Sequence, residues 1–184
     1  MASGPVDKPA AQAGRTHPAA RIPLPSFEEL RSRAIAGLSE REGSGTGLVG
    51  HPSPRVSHAV VPVALDLAAT PAAATVARAF VAGCLAAAVS EPVEGAIDAT
   101  LVLVSELVAN AACHAGGRFR LELAIGEKGL HVDVLDHSFQ PPMLQRMQEA
   151  QEHGWGLVLV DRLADRWGYQ FLPDGKRVWF ELDF

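Results

Sequence analysis

The sequence has 184 residues, a net charge of −5 and 48% apolar residues, which fits one domain with an appendage. Residues 1–56 have seven Lys and Arg against five Asp and Glu, whereas residues 57–184 have nine against sixteen. This acidic balance argues against direct nucleic-acid binding. The composition also gives no sign of a membrane partner or a signal segment. Cys84 and Cys113 lack zinc-type spacing, so we expect buried thiols in a cytoplasmic protein.

The first part of the chain has the composition of a tail. Residues 1–25 are rich in Ala, Pro and Gly without periodicity, which predicts disorder. Ser26 and Glu29 form a capping-box pattern, and the apolar spacing that follows predicts a short amphipathic helix over 26–40. Packing on the domain and docking a partner are both open as roles for this helix. Residues 42–56 are interpreted as a flexible linker.

The folded domain is predicted over residues 57–184, and residues 1–56 are expected to be dispensable for its folding. Alternating apolar residues predict strands, and apolar steps of three and four predict helices, in the order β-α-α-β-β-α-β-β. This order predicts an α+β fold. We expect a two-layer sandwich, in which a mixed, mostly antiparallel sheet is covered by helices on one face.

The first helix of the domain is expected to begin at Thr70-Pro71, since proline is favoured in the first helical turn, and to end near Ala88. Its inward face is expected to contain Val76, Phe80 and Leu85.

A second helix is predicted within Leu101–Gly117, and it is apolar on most sides. Glu106 and Asn110 are four residues apart and therefore share one face of it. Burying a carboxylate and an amide costs several kcal/mol unless a partner satisfies them. A bound metal–nucleotide would do so, and so would a hydrogen bond to a neighbouring strand.

Three motifs in order resemble those of the GHKL (Bergerat-fold) ATPases. They are an N box at Ser105–Ala111, a first glycine-type box at Val134–Ser138 and a second glycine box at Gly154–Leu157. The closest likeness is to bacterial anti-sigma-factor serine kinases, in particular the short single-domain, histidine-kinase-like ATPases of actinomycetes. The resemblance covers about residues 60–184 and implies the Bergerat ATP-binding fold. From the residues alone, Asp136 could instead cap a turn and the glycines could be ordinary turn glycines.

The resemblance assigns roles to residues of these motifs. Asn110 would coordinate Mg²⁺ through its amide oxygen, and Glu106 would be the catalytic base that takes a proton from an attacking serine or water. Asp136 would accept a hydrogen bond from the adenine amino group. Residues 139–153 would form a lid over ATP, and Arg177 lies where relatives often have a threonine near the adenine. The remaining nucleotide-binding positions would be Ser138, Gly154, Gly156 and Leu157.

The function that the resemblance implies is an ATP-binding anti-sigma regulator with serine/threonine-protein kinase activity, using ATP and Mg²⁺. Its partners would be a sigma factor and an anti-anti-sigma antagonist, and a homodimer is compatible with this type of protein. The alternative is a module with weak or no catalysis that regulates transcription through protein contacts only. The catalytic module of a histidine kinase is disfavoured, because the helix over 26–40 has no histidine and no dimerisation hairpin is predicted.

Overall fold

The computed structural model describes residues 25–37, 48–49, 62–89, 95–142 and 156–184. Most of the predicted tail and linker, Gly154 and residues 143–153 of the predicted lid lie outside these ranges. The described helices and strands follow in chain order: α1 (Phe27–Gly37), β1 (Leu48–Val49), β2 (Val63–Ala68), α2 (Ala73–Ala88), α3 (Ala96–His114), β3 (Arg118–Gly126), β4 (Gly129–Asp136), α4 (Gly156–Leu163), β5 (Arg166–Leu172) and β6 (Gly175–Asp183).

The strands form one sheet in the order β1-β5-β6-β4-β3-β2. All neighbouring pairs are antiparallel except the edge pair, in which β1 runs parallel to β5. The two residues of β1 belong to the segment interpreted as a linker, and they pair with Gly168 and Tyr169. The α+β fold predicted from the order of elements is confirmed.

One face of the sheet packs against the helices. Along β6, alternate residues are buried in the apolar core, because successive side chains of a strand point to opposite faces. The same alternation places one apolar row of β3 and one of β4 in this core. The buried residues of these three rows are Phe119, Leu121, Leu123, Leu130, Val132, Val134, Val178, Phe180 and Leu182.

Helix α3 lies at the centre of the helical layer, where it packs against α1, α2, α4 and the sheet. It ends where predicted: Ala115 caps it and Gly116 adopts a left-handed φ of 65°. By length and composition α3 could cross a membrane, but 67% of its most apolar window is buried inside the fold, as in the core helix of a domain. Cys113 is exposed and Cys84 is half-buried, so the expectation of two buried thiols is wrong for Cys113.

Helix α2 differs from the prediction in its start and its inward face. It begins at Ala73, and Thr70 instead accepts a backbone hydrogen bond in the preceding turn. Its buried residues are Ala73, Ala77, Val81 and Leu85, whereas Val76 is 48% exposed. The small side chains of Ala73 and Ala77 allow α2 to pack closely on α3. The prediction from the sequence instead places the larger Val76 on this face.

Helix α1 packs on α3, which corresponds to the first of the two roles considered for it. Leu30 is 0% exposed, Ala34 is buried, and Arg33 lies 2.7 Å from Asp98 of α3. The capping box also forms, because the Ser26 N–H donates to Glu29 and the Glu29 N–H donates to Ser26. This packing argues against including α1 in the segment expected to be dispensable for folding, an expectation that stays a prediction.

We predict that Leu30→Ala lowers the free energy of unfolding by about 2–4 kcal/mol, because it leaves a cavity between α1 and α3. The matched control is Ile35→Ala on the same helix, since Ile35 is 44% exposed and its truncation should cost well under about 1 kcal/mol. Urea denaturation of both variants measures the difference. Equal stabilities would contradict the contribution of α1 to the core.

The opposite face of the sheet has a buried cluster of charged residues around His131. The two His131 nitrogens lie 3.0 Å from the carboxylates of Asp133 and Glu181, and its ring stacks on Trp179 with centroids 5.6 Å apart. Burial would lower the pKa of His131, but its hydrogen bonds and charge interactions with the two carboxylates outweigh burial and raise it to about 9. Arg166 also donates a hydrogen bond to Glu181, and Arg177 lies beside Asp133. Each carboxylate therefore faces an arginine as well as His131.

This cluster predicts a pH dependence of stability. The pKa of His131 is higher in the folded state than the unfolded value of 6.5, so its contribution is complete below about pH 6.5 and is lost as the pH rises towards about 9. The free energy of unfolding should fall by about 1–3 kcal/mol over that range. His131→Gln should remove this part of the slope. An unchanged slope in the variant would show that His131 is not protonated in the folded protein.

Candidate functional site

The buried polar residues of α3 fall into two classes. Thr100 and Ser105 donate their hydroxyls to helix carbonyls one turn earlier, at 2.7 Å, and Arg78 of α2 donates to Ser105. Glu106 and Asn110 are half-buried, and neither side chain has a hydrogen-bond partner in the part of the chain that the structure describes. Since the two hydroxyls bond to their own helix and Asp98 is paired with Arg33 of α1, only the carboxylate and the amide among these polar side chains of α3 are available to a ligand.

Glu106 lies close to α1. Burial raises the pKa of Glu106, the charge of Arg31 lowers it, and the charge of Glu28 raises it again. Arg33, near the end of α1, contacts Asp98 at the start of α3. Glu28 and Arg31, earlier in α1, are close enough to Glu106, later in α3, for their charges to shift its pKa. The two helices therefore run antiparallel. A carboxylate with a raised pKa is a better proton acceptor at neutral pH than an ordinary surface glutamate.

Asn110 is one turn beyond Glu106, near the end of α3. The described residues contain no group of three or more His, Cys, Asp or Glu that could hold a metal ion. A single amide oxygen nevertheless fits Mg²⁺, because this ion is often bound by one or two protein oxygens together with substrate phosphates and water. The Asn110 amide oxygen, which has no partner among the described residues, is a suitable ligand of this kind.

Asp136 ends β4 and is buried. Its Oδ1 accepts two hydrogen bonds, one from the Ser138 backbone N–H at 2.8 Å and one from Lys176 Nζ at 2.9 Å. The first of these bonds is the turn cap that the sequence left open as an alternative. The second is an ion pair in which both side chains are only 1% exposed. Neither contact uses Oδ2, so one oxygen of the carboxylate remains for a ligand.

The hairpin between β5 and β6 lies directly against the end of β4. Gly175 has a φ of 151°, and a Cβ on it would lie 1.9 Å from the Asp136 carbonyl oxygen. Only glycine tolerates this approach. Register pairs Asp136 with Lys176, the next residue, so the glycine allows the lysine to reach the carboxylate. Ser138 is also buried, and its hydroxyl accepts the Gln140 N–H, which fixes the segment after β4.

Helix α4 begins at Gly156 and packs against α3. Leu157, its second residue, is buried in the core. Gly156 therefore lies at a helix N-terminus, where backbone N–H groups without helical partners can bind an anion. Two residues of the second glycine box, Gly154 and Trp155, lie outside the described ranges.

A cavity of about 260 Å³ lies beside Asp136, and the side chains lining it include Asp66, Arg118 and Arg120. In register, Asp66 pairs with Arg120 on the face of the sheet that points away from the helices. Glu106 and Asn110 do not line this cavity. Of the predicted site residues, the cavity therefore adjoins Asp136 but not the Glu106 and Asn110 pair.

Residues 67–182, more than half of the chain, match the model of the histidine kinase-like ATPase domain. The chain belongs to this family. The match extends from β2 to β6 and includes all the motif residues. A search of curated proteins finds no match.

The first residues of β6 are arranged differently from the expectation: the side chain of Arg177 lies elsewhere, and Lys176 was not singled out. Arg177 was expected near the adenine, but it lies on the opposite face of β6, with its Nε 3.5 Å from Asp133. Lys176 occupies the position beside Asp136 instead. The signal for it was present in the sequence, since Lys176 is in phase with the buried row Val178, Phe180 and Leu182.

Proposed function

We propose that this histidine kinase-like ATPase domain binds ATP with Mg²⁺ and transfers the γ-phosphoryl group to a serine of a protein substrate. The observation that carries the proposal is the pair Glu106 and Asn110, which is half-buried one turn apart and has no side-chain partner among the described residues. Family membership supports nucleotide binding. The raised pKa of Glu106 supports a role as a base.

Each residue has a defined part in this proposal. Asn110 holds the metal ion, which neutralises charge on the phosphates when bound. Asp136 accepts a hydrogen bond from the base, and the N–H groups at Gly156 bind phosphate oxygens. Glu106 takes the proton of the serine hydroxyl while the serine oxygen forms a bond to the γ-phosphorus. The bond from the γ-phosphorus to the bridging oxygen breaks, and ADP leaves with the electron pair.

The biological setting belongs to the same proposal. We infer a cytoplasmic anti-sigma regulator of transcription that binds a sigma factor and phosphorylates an anti-anti-sigma antagonist. The motif resemblance supports this choice of partners. The acidic balance of residues 57–184 supports regulation through protein contacts rather than direct nucleic-acid binding.

We predict that the protein binds ATP more tightly with Mg²⁺ than without it, and that Asn110→Ala removes most of this difference. Calorimetric titration with and without Mg²⁺ measures both affinities. His114→Ala is the control, because His114 is an exposed residue at the end of the same helix. Equal Mg²⁺ dependence in the wild type and Asn110→Ala would remove Asn110 from the site.

The kinase activity is tested by ³²P transfer from ATP to antagonist proteins encoded by the same genome. We predict that Glu106→Gln lowers transfer by roughly 10²–10⁴-fold, the usual contribution of a positioned base, while ATP affinity changes little. Because only the ionised carboxylate accepts a proton, wild-type transfer should rise as the pH rises through the raised pKa of Glu106.

Two outcomes decide against this account of catalysis. Transfer that is unaffected in Glu106→Gln would exclude Glu106 as the base. No transfer to any antagonist, with binding to a sigma factor or antagonist retained in pull-downs of both proteins, would show that the domain regulates through protein contacts only.

A further inference from the structure

Lys176 is a buried ammonium with only part of its hydrogen-bonding capacity used. Its side chain is 1% exposed, and its one hydrogen bond in the part of the chain that the structure describes is to Asp136 Oδ1. An ammonium has three N–H donors. Two of them therefore have no protein acceptor in the described ranges. Leaving such donors buried without acceptors is costly, so a ligand that supplies an acceptor would stabilise this arrangement.

The position of Lys176 directs these donors to the helical side of the sheet. It shares its face of β6 with Val178 and Phe180, which pack in the core beneath the helices. It is also opposite Asp136 in the register of β4 and β6. Lys176 is therefore on the same side of the sheet as α3 and α4, where the proposed nucleotide site lies.

Together, Asp136 and Lys176 present two neighbouring groups of opposite type. Asp136 Oδ2 is an acceptor that neither of its protein contacts uses, and Lys176 Nζ is a donor 2.9 Å from the other oxygen of the same carboxylate. A matching ligand edge has a donor beside an acceptor. Adenine has such an edge, because its exocyclic amine is flanked by the ring nitrogens N1 and N7, which are acceptors.

We propose that Lys176 is a second base-contacting residue, which donates a hydrogen bond to a ring nitrogen of adenine while Asp136 accepts one from the adjacent amine. This inference rests on the proposed function and adds a specificity-determining residue to the same site. Lys176 thus has two roles: it holds the Asp136 carboxylate in place, and it donates a hydrogen bond to the ring nitrogen beside the amine. A lysine that was only structural would have the first role alone.

The test compares three nucleotides, ATP, 1-deaza-ATP and 7-deaza-ATP, in the presence of Mg²⁺. Each analogue replaces one of the two flanking ring nitrogens with a C–H group and keeps the amine. For the wild type we expect one analogue to bind at least about tenfold more weakly than ATP, because a hydrogen bond from a charged donor is lost. In Lys176→Met that analogue should bind as well as ATP does to the same variant.

Arg177→Met is the matched control. It removes the same charge from the next residue of β6, but Arg177 lies on the opposite face beside Asp133. This variant should therefore discriminate among the three nucleotides as the wild type does.

Several outcomes would overturn the proposal. Equal affinity of the wild type for all three nucleotides would do so. So would a Lys176→Met protein that binds every nucleotide more weakly by the same factor and keeps the wild-type discrimination, which is the behaviour of a structural lysine. No binding of ATP by the wild type would overturn both this inference and the proposed function.

Lys176→Met also leaves the buried Asp136 carboxylate without its counter-ion, which costs stability. Its thermal unfolding should therefore be measured beside the titrations. If the variant does not fold, Lys176→Arg, which keeps the positive charge beside Asp136 but moves its donors, takes its place: changed discrimination supports the proposal and wild-type discrimination overturns it.

Discussion

The packing of α3 is the constraint on which the rest of the structure depends. This helix contacts three other helices and the sheet, so almost every side chain on it must be apolar, small or internally satisfied. Thr100 and Ser105 meet this requirement through bonds to their own helix. Glu106 and Asn110 do not, and their desolvation is a cost that the apolar packing around them offsets. The proposed site for a charged ligand thereby lies on the central helix of the domain.

The second constraint is the meeting of β4 and β6 at Asp136. A buried carboxylate needs a counter-charge or several donors, and here Lys176 and the Ser138 N–H supply them. Gly175 makes this possible, because a side chain there would overlap the backbone of β4. The carboxylate is held through Oδ1, and neither of these two contacts uses Oδ2, the atom proposed to recognise the base. Fold and chemistry depend on the same few atoms at this corner of the sheet.

The fold was predictable because its signals are local. The alternation in β3, β4 and β6 and the apolar steps in α3 lead directly to the observed layers. The packing of α1 on α3 was harder to foresee, since a short amphipathic helix next to an Ala-, Pro- and Gly-rich tail has no local signal for the surface that it covers. On the inward face of α2, the prediction was right for Leu85 and wrong for Val76, because close packing of helices favoured alanine over this larger residue.

The candidate site was only partly predictable. The motifs identified Glu106, Asn110 and Asp136, because each lies at a helix turn or strand end that the sequence pattern defines. The partner of Asp136 depends on register between two distant strands, and no single stretch of sequence fixes that register. Arg177 and Lys176 differ by one position, and in a strand a step of one residue exchanges the two faces of the sheet, so it is Lys176 that lies beside Asp136.

The most direct measurement is a crystal structure of the protein with Mn²⁺ in place of Mg²⁺ and a non-hydrolysable ATP analogue. The account predicts an anomalous peak for the metal bound to the amide oxygen of Asn110, phosphates at the N-terminus of α4, and the base amine within hydrogen-bond distance of Asp136 Oδ2. Nucleotide bound elsewhere, or metal and base in place without contact to Asn110 and Asp136, would contradict it.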